Sequence, residues 1–196
     1  MLVHDNGMLN VLSENRCGNT SMYHYFGIPI YSQMLNTTRE KMRSIWKQNP
    51  SEKIVVLRDP YQRCRSAINY HKLSNYYHRF FAMDPEERKE IELRANYPNI
   101  ENMTYEQFRL SDIRGHCAPY LNHLIGFNFR YIDFNRIGEY LNVQIGPITD
   151  TVDDTFSEEF LDFYDKDNLK FEKFLYQEYL FRFKEITPEE WKEKTK

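Results

Sequence analysis

Nearly continuous apolar runs alternate along the chain with stretches whose apolar positions recur every three or four residues, and the alternation defines the elements. Met8–Ser13 (MLNVLS) predicts a buried first strand. Ser21–Phe26 opens a helix that Gly27 and Pro29 stop. Thr38–Gln48 has helical spacing, with Met42, Ile45 and Trp46 on one face and Thr37 or Thr38 as cap; Asn49-Pro50 ends it. Lys53–Leu57 (KIVVL) is the clearest strand, rich in β-branched residues. Arg58-Asp59-Pro60 follows, and proline in a first helical turn predicts a helix over Tyr61–Leu73.

Further on, Asp84-Pro85-Glu86-Glu87 starts a helix reaching about Ala95, residues 96–103 form a loop, and Thr104–Leu110 is a capped amphipathic turn. Asn128–Asp133 reads as a strand and Ile137–Leu141 as a short helix. Residues 144–155 are linker-like, helices fill most of Glu158–Phe183, and Pro188–Lys194 adds a last one. The order strand, helix, strand, helix, then a later strand and more helices predicts an α/β domain of three layers, a central, mostly parallel sheet flanked by helices. Residues 1–196 read as a single domain with a C-terminal helical extension from about residue 157.

Composition narrows the class. Apolar residues are 41% and charged residues 28% of 196, an ordinary globular balance. No eighteen-residue apolar run occurs, so no membrane segment is expected. The opening MLVHDNGMLNVLS lacks a basic and then apolar leader pattern, so no signal peptide is expected. Cys17, Cys64 and Cys117 are isolated and odd in number, which gives no disulfide framework and no metal pattern and points to a reducing, cytoplasmic setting. Net charge is −3, yet residues 1–80 carry 11 Lys/Arg against 5 Asp/Glu and residues 81–196 carry 15 against 24. A basic first half in an acidic chain suggests a local anion site, not a nucleic-acid surface.

The turn after the first strand, Arg16-Cys17-Gly18-Asn19-Thr20-Ser21, suits such a site. A helix start offers backbone N–H groups and the positive end of its dipole. Gly18 lets an anion approach the backbone, Thr20 and Ser21 add hydroxyl donors, and Arg16 adds a forked cation. Taken alone, N-capping by Asn19 or Thr20 explains the turn equally well. It is not a Walker A loop, because no glycine-lysine pair precedes Thr20 or Ser21. The second element is VVLRDPYQRCRSAINY, residues 55–70, where Arg58 ends a strand and Ser66 follows within the helix. Ligands of open α/β sheets sit beyond the carboxyl ends of strands, so both elements belong on one edge and suit a ligand with two separated anionic groups.

Together RCGNTSM and LRDPYQRCRSAINY resemble the two cofactor motifs of sulfotransferases that use 3′-phosphoadenosine-5′-phosphosulfate (PAPS). The resemblance implies a P-loop-like fold, with Arg16, Cys17, Gly18, Asn19, Thr20 and Ser21 around the 5′-phosphosulfate and Arg58 and Ser66 on the 3′-phosphate. Arg63 matches an arginine of the pattern whose role is structural. Thr104–Phe108, His116-Cys117-Ala118-Pro119-Tyr120 and Asp162-Phe163-Tyr164 with Asp167 resemble weaker motifs of the membrane-type carbohydrate sulfotransferases, in the same order. The implied product is 3′,5′-ADP (PAP), the implied acceptor a glycan or other hydroxyl, and no metal is needed. The family's usual lysine is Arg16 here, and the tryptophan and glutamine of the histidine motif are Cys117 and Tyr120.

An acceptor hydroxyl needs a base, and histidine titrates in the right range. Of the six histidines, His116 carries the motif match and is the first candidate, with Arg16 as its catalytic partner. His24, His71 and Glu14 are the alternatives. The stretch Asn75–Phe81 mixes aromatic and basic groups and suits either a stacked acceptor or a packed helix end. Two other functions stay open: another P-loop-like transferase such as a kinase, for which no Walker lysine or magnesium carboxylates are found, and a non-catalytic nucleotide-binding module.

Overall fold

The computed structural model describes residues 2–14, 17–28, 39–73, 119–142 and 158–196, with side chains described at all of these except 20, 39, 68–73 and 158–167. Four strands form one sheet in the order β1-β2-β3-β4. These are β1 (Leu2–Asp5), β2 (Leu9–Ser13), β3 (Glu52–Leu57) and β4 (Arg130–Asp133). The helices are α1 (Asn19–Tyr25), α2 (Arg39–Gln48), α3 (Pro60–Leu73), α4 (Ile137–Leu141), α5 (Glu158–Arg182) and α6 (Pro188–Lys194), with short 3₁₀ segments at Leu121–Leu124 and Phe134–Arg136.

The chain is therefore α/β, with a mostly parallel, mixed sheet. The expected first strand is in fact the second. It is preceded by β1, which pairs antiparallel with it from Leu2↔Ser13 to Asp5↔Asn10. The connecting turn is built by side chains: Asp5 Oδ1 accepts from Gly7 N, and Asn6 Oδ1 accepts from Met8 N and Leu9 N. Gly7 takes φ +89°, which glycine adopts without strain. The Asn6-Gly7 pair was the available hairpin signal, but only four residues precede it as strand.

Strands β2 and β3 run parallel, Leu9↔Glu52 to Leu12↔Val55, and β4 runs parallel to β3, Ile54↔Arg130 to Leu57↔Asp133. Every residue of β2 is buried, as are Ile54–Leu57 of β3, the pattern of strands covered on both faces. Buried Asn10 Oδ1 in β2 accepts from Trp46 Nε1 of α2, at 2.5 Å. The buried apolar residues form one cluster that runs from Leu2 to Trp191. Its principal helix contacts fall into two groups: α1 with α4 and α4 with α6, and α5 with α3 and, together with α2, with the Leu121–Leu124 segment. Helix α5 is one uninterrupted helix whose Leu169, Glu172, Leu175 and Tyr179 share the buried face.

The expected elements at 84–95 and 104–110, the loop at 96–103, the stretch 75–81 and the linker at 144–155 lie outside the described residues. Among the described residues no helix is long and apolar enough to cross a membrane.

Helix α6 packs against α4. Thr187 and Glu190 form a capping box, Pro188 stands in the first turn, and Trp191 is fully buried among the rings of Tyr25, Phe26 and Tyr140. Glu190 also pairs with Arg130 of β4 at 2.5 Å. The Arg130 hydrogen bonds, with a further one from Thr187 N, hold the Glu190 carboxyl down at about 2. A lowered carboxyl stabilises the fold above the ordinary glutamate range of about 4.3, and that contribution fades as pH falls through the folded value. The stability difference between the wild type and Glu190→Gln, from urea titrations read by tryptophan fluorescence, is thus expected to be largest near neutrality and to vanish between about pH 4.3 and 2. A difference independent of pH over that window contradicts the pairing.

Candidate functional site

Because β2 and β3 are parallel neighbours, the segments leaving Ser13 and Leu57 emerge at the same sheet edge. The turn after β2 is held by Cys17 N donating to the Glu14 carbonyl at 2.9 Å and Ser13 Oγ donating to the Cys17 carbonyl at 2.8 Å. Gly18 then caps α1 with φ 75° and ψ 18°, and its carbonyl receives Met22 N at 2.9 Å. Among the described residues no side chain caps this helix, so the first-turn N–H groups keep the outward direction that helix geometry gives them. Cys17 differs from expectation in detail, since its amide is used inside the turn and its thiol is fully buried.

Gly18 is required here for a reason the sequence did not disclose. A Cβ at this position would lie 2.3 Å from Ile137 Cδ1 and 3.6 Å from Phe134 Cε2. The missing side chain makes room for the protein's own α4 and for the residue that follows β4, in addition to permitting the left-handed backbone. Phe134 and Ile137 were missed as site neighbours. The signal was present: NFRYIDF ends a strand at the same edge, where the strand-end rule also applies.

Arg58 leaves β3 at this edge and is 3% exposed. Its guanidinium carbon stands 4.0 Å from the centroid of the Phe134 ring, within cation–π range. The same ring thus faces both Arg58 and Gly18, which brings the two sequence motifs together. Asp59 caps α3 by accepting from Tyr61 N and Gln62 N, and it pairs with Lys173 of α5, which lies over the Tyr61 ring. This cap fixes the angle at which the chain turns past Arg58. Ser66 lies about 9 Å along the α3 axis from Pro60, at 1.5 Å per residue, and is fully buried on the same helix. Ser21 is half-buried on α1 and His24 is exposed.

Behind the edge sits a buried polar group that sequence reasoning treated only in part. Arg63, 1% exposed, holds its guanidinium carbon 5.0 Å from the Tyr120 ring centroid. Burial opposes its charge, but Cys17, Glu172, Tyr120 and Glu14 around it hold its pKa above the usual arginine value. Burial pushes the Cys17 thiol up despite Arg63 and Arg58, so it is not a thiolate nucleophile at neutral pH. Burial likewise drives the Tyr120 hydroxyl far up. Glu172 is raised by burial against the opposing pull of Arg63 and the amides of Leu121 and Asn122. Its signal in the sequence was a lone carboxylate on the apolar stripe Leu169, Leu175, Tyr179.

Arg16 and His116 lie outside the described residues, as do the side chains of Thr20 and His71. Asn19 is buried at the start of α1. Among the described residues no group of His, Cys, Asp and Glu is arranged to hold a metal ion.

The Gly18 contact is testable. Gly18→Ala is expected to cost about 1–3 kcal/mol, part from the left-handed backbone and part from Ile137. Ile137→Val removes the clashing Cδ1, so urea denaturation of the double variant should show less loss than the sum of the two singles. Strict additivity would mean the two residues do not touch.

Comparison with protein-family models, with curated proteins and with solved structures finds no match to this chain.

Proposed function

We propose that the chain is a sulfotransferase with a P-loop-like, three-layer fold, moving a sulfuryl group from PAPS to an acceptor hydroxyl, most naturally on a carbohydrate. The observation that carries this is the meeting of the two motifs: β2 and β3 are parallel neighbours, and Gly18 and Arg58 face one ring, Phe134. A single nucleotide with anionic groups at both ends suits that arrangement. The buried side chains of Cys17 and Cys64 suit a reducing, cytoplasmic setting.

In this account the first-turn amides of α1, with Thr20, Ser21 and Arg16, hold the sulfuryl and bridging oxygens. Arg58 and Ser66 hold the 3′-phosphate and set the register of the nucleotide. The acceptor oxygen attacks sulfur, the bond from sulfur to the bridging oxygen breaks, and 3′,5′-ADP leaves. The acceptor proton passes to His116, with His24, His71 or Glu14 as the other candidates. Arg16 stays protonated throughout, so it stabilises charge on the leaving phosphate without donating a proton. Sulfuryl transfer needs mostly positioning and electrostatic stabilisation, as phosphoryl transfer does, and no metal is invoked.

A nucleotide-binding module without turnover uses the same two motifs and differs only in lacking transfer.

Calorimetry separates these possibilities. The wild type is expected to bind 3′,5′-ADP at least tenfold more tightly than 5′-AMP, and Arg58→Ala, checked for fold by circular dichroism, should lose that preference. Equal affinities in the wild type would exclude a 3′-phosphate site at Arg58 and Ser66. With PAPS and a panel of glycans and phenols, His116→Ala should lower turnover about 10²–10⁴-fold, the usual worth of a general base, while 3′,5′-ADP affinity stays unchanged. Full turnover in that variant would remove His116 from the chemistry, and binding without any transfer in the wild type would select the binding module.

A further inference from the structure

Helix α5 grips the segment after Pro119 from two sides. Glu172 Oε1 accepts from Leu121 N at 2.6 Å and from Asn122 N at 3.4 Å, and Tyr179 OH donates to the Leu121 carbonyl at 2.9 Å. Glu172 thereby supplies the cap that the 3₁₀ segment Leu121–Leu124 lacks from its own first residue, Tyr120. Both Glu172 and Arg63 are 1% exposed, so both groups are inside the protein.

Tyr120 extends the grip across the core. Its ring lies under Arg63, its hydroxyl donates to the Val56 carbonyl of β3 at 3.4 Å, and Cys17 Sγ lies 3.7 Å from that hydroxyl. One residue therefore touches the strand that leads to Arg58, the helix that carries Ser66, and the turn that leads to Gly18. It also stands four residues after His116 in the chain. Buried charged groups are a weak source of net stability, because desolvation offsets their attractions, and they are often replaceable by apolar residues. A buried hydrogen-bonded network is better suited to fixing a single geometry.

We infer that Glu172, Arg63 and Tyr120 are positioning residues, a buried strut that holds the turn at Cys17–Gly18 in register with the Tyr120–Asn122 segment. The strut itself stands on geometry alone; its effect on ligand binding rests on the nucleotide function proposed above. Glu172 fixes the backbone at Leu121, Arg63 holds the Tyr120 ring flat against α3, and the Tyr120 hydroxyl transmits that position to Cys17.

Amide hydrogen exchange on the full chain tests the strut without requiring any activity. The reporters are Leu121 and Asn122, bonded to Glu172, and Cys17 and Met22, bonded within the turn. Ile186 N, bonded to the Tyr131 carbonyl, is the control. Glu172→Gln keeps an acceptor oxygen and should speed exchange at all four reporters at least fivefold, leaving the control unchanged. Tyr120→Phe keeps the ring and should speed Cys17 and Met22 alone. If Cys17 and Met22 keep wild-type rates in both variants, the strut is overturned; so too if the control accelerates equally, which marks general loosening.

The binding arm uses 3′,5′-ADP as probe. Tyr120→Phe should lower its affinity about three- to tenfold at unchanged stoichiometry, whereas loss of folded protein would lower stoichiometry and leave affinity alone. Unchanged affinity, in a wild type that binds, overturns the positioning role. A wild type that ignores 3′,5′-ADP but shows the exchange coupling upholds the strut and rejects the nucleotide function.

Discussion

The parallel pairing of β2 with β3 is the constraint on which the rest depends. Four residue pairs set it, Leu9↔Glu52 to Leu12↔Val55. Parallel strands require the chain to cross over between them, and that crossover carries α1 and α2. It also forces both strands to end at one edge. The turn at Glu14–Gly18 and the Arg58-Asp59-Pro60 corner are neighbours for that reason, although about forty residues separate them in sequence. A one-residue slip would turn the buried set of β2 to the wrong faces and separate Asn10 from Trp46.

The edge is finished by β4. Parallel addition from Ile54↔Arg130 to Leu57↔Asp133 delivers Phe134 and Ile137 directly beside Gly18 and Arg58. An arginine this deeply buried must be compensated, and the face of an aromatic ring is one favourable environment for a guanidinium. Arg63 is treated differently, with a ring on one side and the carboxylate of Glu172 within its field. Two arginines five residues apart are thus held by different chemistry. Arg58 stands at the strand end against Phe134, and Arg63 stands further along α3 against Tyr120.

Much of this frame was legible in the sequence. KIVVL followed by Arg58-Asp59-Pro60 predicted β3, its end and the start of α3, because β-branched residues and a first-turn proline agree. The bounds of α2, α4 and α6 were also close, those of α2 fixed by apolar spacing and the Asn49-Pro50 break. Strand β1 was missed because four residues of mixed burial carry almost no period. The strut was missed because it is assembled from α3, α5 and the Tyr120 segment, and no local pattern reports contacts across 103 residues, as between Cys17 and Tyr120. Gly18 was recognised as special, but its tightest contact is with Ile137, which spacing along the chain cannot reveal.

The central claim is that the Gly18 turn and the Arg58 helix are two ends of one nucleotide site. Nuclear magnetic resonance titration of the backbone amides with 3′,5′-ADP tests it most directly, because each end reports separately. Amides of Gly18–Ser21 and of Arg58–Ser66 are expected to shift together on one saturation curve with a single midpoint. Shifts confined to one of the two segments, or two curves with different midpoints, would contradict it.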